Sequence, residues 1–222
     1  MKMNLPETWK ELFYSTGSEN YLLFSSVTTG VSPESDVVFG YYYAEIGADL
    51  VAKTGQLFLQ APPEVVSKNA EIHKVPQDWI INNGVPAEKF KEELAALTSK
   101  GVLGSYNTAF QLAFMTKVLN QVASTPFCLD VPQLYRAAKS RLALPEHIIA
   151  SKGCLMNALN ATYGRAPAMK KCIREISEVD TPPAGVLPVA FYCQALEGLW
   201  RATMESPLVV LPEPKQSKLR AP

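Results

Sequence analysis

Few groupings in this 222-residue sequence combine residue types and spacing that chemistry could use. A strand-like run beginning at Tyr21 ends in Ser25-Ser26-Val27-Thr28-Thr29-Gly30, and His73 lies downstream. A serine hydrolase needs its hydroxyl beside a base that a third group orients. No nucleophile elbow or acid partner is readable, so strand-end serines are the plainer reading. A zinc centre would have to be built from two histidines, His73 and His147, and four cysteines that form no CxxC pair. Buried, reduced thiols in a cytoplasm are the simpler expectation for Cys128, Cys154, Cys172 and Cys193. Arg165, Lys170, Lys171 and Arg174 form the densest basic cluster, either a phosphate-contacting patch or a solvated helix face. Tyr41, Tyr42 and Tyr43 could stack on nucleobases, but strand residues alternate faces, so at most two share a surface.

These residues need elements to hold them. The nearly all-apolar run Tyr21–Val27 predicts a strand buried on both faces. Asp36–Gly47 and Leu50–Ala61, rich in β-branched and aromatic residues, predict two more strands of a meander. Pro86–Lys100 has proline first and acids early, which predicts a helix. Gly101–Asn107 predicts a short strand, Thr108–Ala123 a helix, and Pro126–Leu142 a strand followed by a helix. Cys154–Gly164 and Val186–Glu205 predict further helices, and a short one is expected over residues 6–14. Antiparallel strands first, then alternating helix and strand, argue for an α/β domain with a mixed sheet.

Composition sets bounds on partners. Charges balance at 21 basic and 21 acidic side chains, so no global field attracts nucleic acid or an anionic membrane. No uncharged apolar run is long enough to span a bilayer, and the first twenty residues lack the apolar stretch of a signal peptide. The expected organisation is an N-terminal helical extension (1–20), one domain (21–206) and a polar, disordered tail (207–222).

The order of the pieces resembles the DnaQ-like 3′-5′ exonucleases, of the proofreading-subunit (epsilon) type, within the ribonuclease H-like fold. In that family the first strand ends in Asp-x-Glu-Thr-Thr-Gly, and Ser25-Ser26-Val27-Thr28-Thr29-Gly30 stands in its place. The family's Glu-Ile-His-Gly-Ile loop is similar to Glu71-Ile72-His73-Lys74-Val75, and its His-Asn-x-x-Phe-Asp motif to Tyr106-Asn107-Thr108-Ala109-Phe110-Gln111. An Asp-Thr-Leu strand resembles Asp130-Val131-Pro132. A Leu-x-Ala-Leu helix ending in glycine resembles Met156-Asn157-Ala158-Leu159 running to Gly164. The third motif, His-x4-Asp-Ala, falls on Val189 through Gln194-Ala195. The resemblance implies a five-stranded mixed sheet flanked by helices.

It also implies a mechanism that these residues do not support. Members hold two divalent ions roughly 3.5–4 Å apart that activate water and steady the phosphate. Such hard ions need oxygen ligands, chiefly carboxylates. The four acids of the family correspond to Ser25, Val27, Gln111 and Gln194, and its histidine base to Val189. Valine can neither bind a metal nor move a proton. The expectation is therefore a catalytically inactive module without cofactor, whose partner is nucleic acid or a protein of DNA or RNA processing, in an oligomeric state left open. Thr28, Thr29, Gly30, Asn107 and Phe110 are retained, either for residual nucleic-acid binding or because turn and core require them. The alternative is an active metal-dependent exonuclease with substituted ligands, for which Glu197, Asp36 and Asp130 are the available carboxylates. Tyr192 fits the tyrosine variant of the third motif, but that variant wants aspartate where Leu196 stands.

Overall fold

The structure is a computed structural model that describes residues 5–15, 19–99, 102–120, 128–149 and 169–211. The helix expected at Cys154–Gly164, Arg165, and residues 212–222 of the expected tail lie outside these, as does the His147 side chain.

Three strands, β1 (Tyr21–Thr28), β2 (Val38–Ile46) and β3 (Ala52–Phe58), form the antiparallel meander that the apolar runs predict. β4 (Val102–Ser105) then pairs parallel with β1, and β5 (Cys128–Asp130) parallel with β4. The result is the expected five-stranded mixed sheet, in the order β3-β2-β1-β4-β5, with β1 at its centre. A central strand is covered on both faces, which is why β1 reads as a continuous apolar run up to Ser25. Leu22 and Phe24 point into one cluster, with Phe90 and Leu94 of α5 (Ala87–Thr98) and Phe114 of α6 (Thr108–Leu119). Tyr21 and Leu23 point to the other face.

That second face is covered by the longest helix, α10 (Pro188–Met204), entered through a proline in its first turn. Val189, Cys193, Leu196, Trp200 and Thr203 are buried at alternating spacings of four and three, one continuous stripe laid along the sheet. α7 (Val131–Lys139) lies beside it. Between β3 and α5 run three short helices, α2 (Pro63–Val66), α3 (Ala70–His73) and α4 (Gln77–Asn83). The remaining described elements are β6 (Ala143–Pro145), α8 (Glu146–Ile149), α9 (Met169–Arg174) and β7 (Val209–Leu211).

Both ends of the described chain belong to the domain, contrary to the expected division. Trp9 and Phe13 of α1 (Trp9–Phe13) are buried, with Phe13 edge-on to Tyr21 and to Trp200 at ring separations of 5.7 and 5.5 Å. Trp200 Nε1 donates to the Tyr14 hydroxyl at 3.1 Å, and that hydroxyl donates to the Ile46 carbonyl at 3.2 Å. Trp9, Leu12, Phe13 and Tyr14 are thus part of the core. Residues 207–211 are not a disordered tail. The Leu208 amide donates to the Glu7 carbonyl at 2.7 Å, and β7 pairs parallel with β6.

The pairing of β1 with β2 shifts register at the end of β1. Val27 pairs with Gly40 and Thr28 with Val38, so β2 carries one extra residue, Phe39, at this point. Such a bulge re-aims side chains at the end of a strand. Here the extra residue is an aromatic ring with no exposed surface.

Candidate functional site: a cavity at the end of the central strand

The site stands where β1 and β4 end and where the N-terminal half of α10 crosses them. A cavity of about 420 Å³ opens there, lined by Ser25, Ser105, Tyr106, Gln111, Met169, Lys170, Tyr192 and Leu196. Ser25 reaches it because the strand alternates: Leu23, Ser25 and Val27 share the face that α10 covers. Gln111 comes from the first turn of α6, whose N-cap Asn107 takes the left-handed conformation (φ 53°) that asparagine tolerates better than most residues. Tyr192 and Leu196, one helical turn apart, are the contribution of α10.

The remaining first-strand position is closed off. Val27 is 2% exposed and Val189 5% exposed, and both belong to one apolar cluster with Phe39, Phe58, Val66, Val75 and Ile80. Both positions are therefore buried in hydrocarbon, within one cluster.

Gln194 requires a correction. It does not face Ser25; it is exposed and lines a separate groove of about 340 Å³ with Tyr42, Thr54, Gly55 and Glu197, on the β3 side of α10. Successive helical residues are turned by about a third of a circle, so Gln194 and Tyr192 stand on different flanks of the helix. Tyr192 is the third-motif residue that shares the cavity with Ser25.

The carboxylates available for rescue are engaged elsewhere. Glu197 Oε1 accepts from the Arg201 guanidinium at 2.6 Å, in the groove away from Ser25. Asp36 ties its own loop: Oδ2 accepts from the Ser32 amide at 2.9 Å and Oδ1 from the Thr29 hydroxyl at 3.3 Å. Asp130, at the end of β5, accepts from the Asn107 amide through Oδ2 at 3.2 Å, while its Oδ1 is buried without a partner. Burial pushes this carboxyl up to about 6, against the pull of the backbone amides of Gln133, Asn107 and Thr108.

The retained motif residues serve the turn. The Thr28 hydroxyl donates to the Gly30 carbonyl at 2.7 Å. Thr29 is buried; its hydroxyl accepts the Val37 amide at 2.9 Å, and its carbonyl accepts from the Asn69 side chain. A Cβ on Gly30 would lie 2.3 Å from a carboxylate oxygen of Asp36, which explains the glycine without a ligand. Phe110 packs on Phe114 at 4.9 Å, in the core below the site. Asn107 is exposed at its edge.

Other groupings resolve as plainly. His73 is buried, with Nδ1 accepting the Val75 amide at 3.0 Å and Nε2 facing the Val66 and Lys68 carbonyls, so neither nitrogen serves a serine. Cys172 and Cys193 are buried thiols, and burial pushes Cys193 up to about 12. In the basic cluster Arg174 is paired with Asp180, Lys171 is exposed, and Lys170 stands at the cavity. Tyr41 is buried against Phe90, while Tyr42 faces Phe58 across the other side of the sheet. That Lys170 would line the cavity was not readable in the sequence, since no motif points at it; Tyr192 was marked only by the tyrosine variant of the third motif.

A pair of hard divalent ions does not fit this donor set. Among the described residues the cavity offers serine and tyrosine hydroxyls and one carboxamide, with no carboxylate, and the single charged lining residue is a cation. Among the described residues no group of three or more His, Cys, Asp and Glu side chains could hold a metal ion.

No protein-family model matches this sequence, and no curated protein matches it. Solved structures do. The product-bound structure of exonuclease I matches with a TM-score of 0.51 at 11% identity, over 83% of this chain and 43% of that one. Exonuclease I in its complex with SSB-Ct matches with the same TM-score and identity, over 83% and 40%. The zinc-bound E. coli exonuclease I–ssDNA complex matches over 59% and 33%, with a TM-score of 0.46 and 13% identity. This chain therefore spans less than half the length of these structures, and at such identity the likeness shows the fold alone. That fold is the exonuclease, ribonuclease H-like one. No helix among the described residues is long and apolar enough to cross a membrane.

Proposed function

We propose that this chain is a catalytically inactive DnaQ-like domain of the epsilon type that serves as a nucleic-acid-binding or protein-interaction module, with nucleic acid the favoured partner. One observation carries the reading: Val27 and Val189, which stand for a metal ligand and the general base, are buried together in one apolar cluster. Neither can ligate or move a proton. Tyr192, Ser25 and Gln111 supply only neutral donors and acceptors to the neighbouring cavity. The buried thiols support a reducing, cytoplasmic setting.

Nucleic acid is favoured because the exonuclease fold is built around this strand end and the cavity there remains open while its acids are gone. Removing acids from a cleft removes their repulsion of phosphate.

The reading is tested by incubating the protein with single- and double-stranded DNA and with RNA in millimolar Mg²⁺ or Mn²⁺, and by measuring oligonucleotide binding in parallel. Binding without release of 3′ nucleotides is the expected result. Metal-dependent release of nucleotides, lost on Asp130→Asn or Glu197→Ala, would establish the active alternative instead.

A further inference from the structure

Among the described residues, β3 pairs with β2 on one side and forms an edge of the sheet on the other. Antiparallel strands turn their backbone groups toward and away from the partner at alternate residues. The Leu59 amide donates to the Phe39 carbonyl at 2.9 Å, so Leu59 is turned toward β2. Phe58 and Gln60 are turned outward, where the Phe58 carbonyl accepts the Val85 amide and the Gln60 amide donates to the Val85 carbonyl, both at 2.8 Å. The same alternation turns the amides and carbonyls of Ala52, Thr54 and Gln56 outward, and these have no partner among the described residues. Lys53, Thr54 and Gln56 are exposed. Such an edge is a template for one more strand.

The groove of about 340 Å³ lies beside this edge. Thr54 and Gln56 line it from the edge itself, Tyr42 from β2, and Gln194 and Glu197 from α10. Gln56 is the cross-strand partner of Tyr42, so Ala52, Thr54 and Gln56 share the face that carries that ring. A strand added at the edge would therefore send every second side chain toward the groove. Tyr43 supplies another ring at the edge: it lies across Gly55, where a Cβ would stand 2.4 Å from it. Glu197 is the only charged lining residue among the described ones. Its Oε1 accepts from Arg201, and no described residue engages Oε2. A carboxylate beside tyrosine rings and carboxamides complements a cation on a long stem, an arginine or a lysine.

A second copy of this chain does not supply that cation. Two β3 edges paired with each other would turn the copy's Ala52, Thr54 and Gln56 to the groove face and its Lys53 to the opposite one.

We propose that the β3 edge and its groove are a docking site for an extended basic segment of another protein, added as a further strand of the sheet. The backbone groups of Ala52, Thr54 and Gln56 hold the segment, while Glu197, Tyr42 and Tyr43 take one arginine or lysine side chain. The site lies on the other flank of α10 from the cavity at Ser25 and does not depend on what that cavity binds.

Fluorescence anisotropy of labelled hexapeptides with the full chain tests the proposal. The probe is Thr-Val-Arg-Val-Thr-Val, whose arginine and threonines share one face when extended. It should bind. Replacing its arginine with glutamate, or making Glu197→Gln in the chain, should weaken binding about tenfold. N-methylation of the arginine amide removes a bond to the edge and should weaken binding likewise. N-methylation of the next valine, whose amide points away from β3, should not. Thr54→Pro removes an outward amide that the fold does not use, so it should act like the first methyl group and leave the melting temperature unchanged. The two methylated peptides need no variant, so their comparison decides even where Thr54→Pro does not fold. No binding of the arginine peptide, equal binding of the glutamate peptide, or equal affinity of the two methylated peptides overturns the proposal. A dimer in sedimentation that Thr54→Pro breaks overturns it as well, by placing a second copy on the edge. Oligonucleotide binding by the same variants should not change, so failure here leaves the proposed nucleic-acid partner standing.

Discussion

Val27, at the end of the central strand, and Val189, in the first turn of the longest helix, share one buried apolar cluster closed by Phe39 and Phe58. The relationship predicts the outcome of placing a carboxylate or an imidazole at these positions. Val27→Glu puts an unpaired charge among aromatic rings and should cost on the order of 3 kcal/mol at neutral pH. Val189→His leaves a polar ring without partners and should cost about 1–3 kcal/mol. Urea midpoints of the two variants measure both, and an unchanged midpoint in either would mean that the cluster is not packed as described.

Thr29 separates the structural use of the retained motif from a binding use. Its hydroxyl accepts the Val37 amide and donates to Asp36, both inside the turn. Thr29→Val should therefore cost about 1–3 kcal/mol, seen as a lower urea midpoint. If nucleotide affinity falls while stability does not change, Thr29 is a ligand contact and the turn does not depend on it.

Asp130 sets a pH dependence with a definite sign. Its folded carboxyl, raised by burial to about 6, lies above the ordinary 3.8, so the native state holds the proton more tightly than the unfolded chain. Protonation of Asp130 favours the fold fully below the unfolded value, and that contribution is lost as pH rises through about 6. The shift corresponds to about 3 kcal/mol as an upper figure. Asp130→Asn should accordingly be more stable than the unaltered chain at pH 8 and gain little at pH 4. Denaturant titrations at the two pH values check this; a larger gain at pH 4 would reverse the sign and refute the assignment.

The packing of α1 gives a prediction about the limits of the domain. Trp9 is 1% exposed and stacks on Phe13 at 6.3 Å, which in turn meets Trp200. Trp9→Ala should cost about 3–5 kcal/mol, as read from its urea midpoint. A loss below 1 kcal/mol would return residues 1–20 to the status of a dispensable extension.

How much of this was legible in the sequence follows from the range of the signals. Tyr21–Val27 is nearly all apolar because the strand is covered on both faces, so its central place could be read from seven residues. The helix Pro188–Met204 announces its buried stripe by spacing, yet spacing does not say which flank of the helix faces Ser25. Counting five residues on from Val189 selected Gln194, while the fold turns Tyr192 and Leu196 to the cavity. The strands Ala143–Pro145 and Val209–Leu211 have three residues each, too few to show a period, and they meet only through the fold. The contact of Tyr14 with Trp200 joins residues 186 positions apart, which no local pattern encodes. Lys170 was visible only as one charge in a basic cluster; its place at the cavity depends on how the chain returns before the last helix.

The most direct test of the central claim is the melting temperature of the unaltered protein in EDTA and in millimolar Mn²⁺. A fold that holds catalytic metals gains about 2.7 kcal/mol at a hundredfold excess over the dissociation constant. For a chain of this size that raises the midpoint by about 5–10 °C. With hydroxyls and a carboxamide lining the cavity and two buried valines beside it, the midpoint should be the same in both solutions, within error. A midpoint several degrees higher in Mn²⁺, reversed by EDTA, would reveal a metal site and contradict the non-catalytic reading.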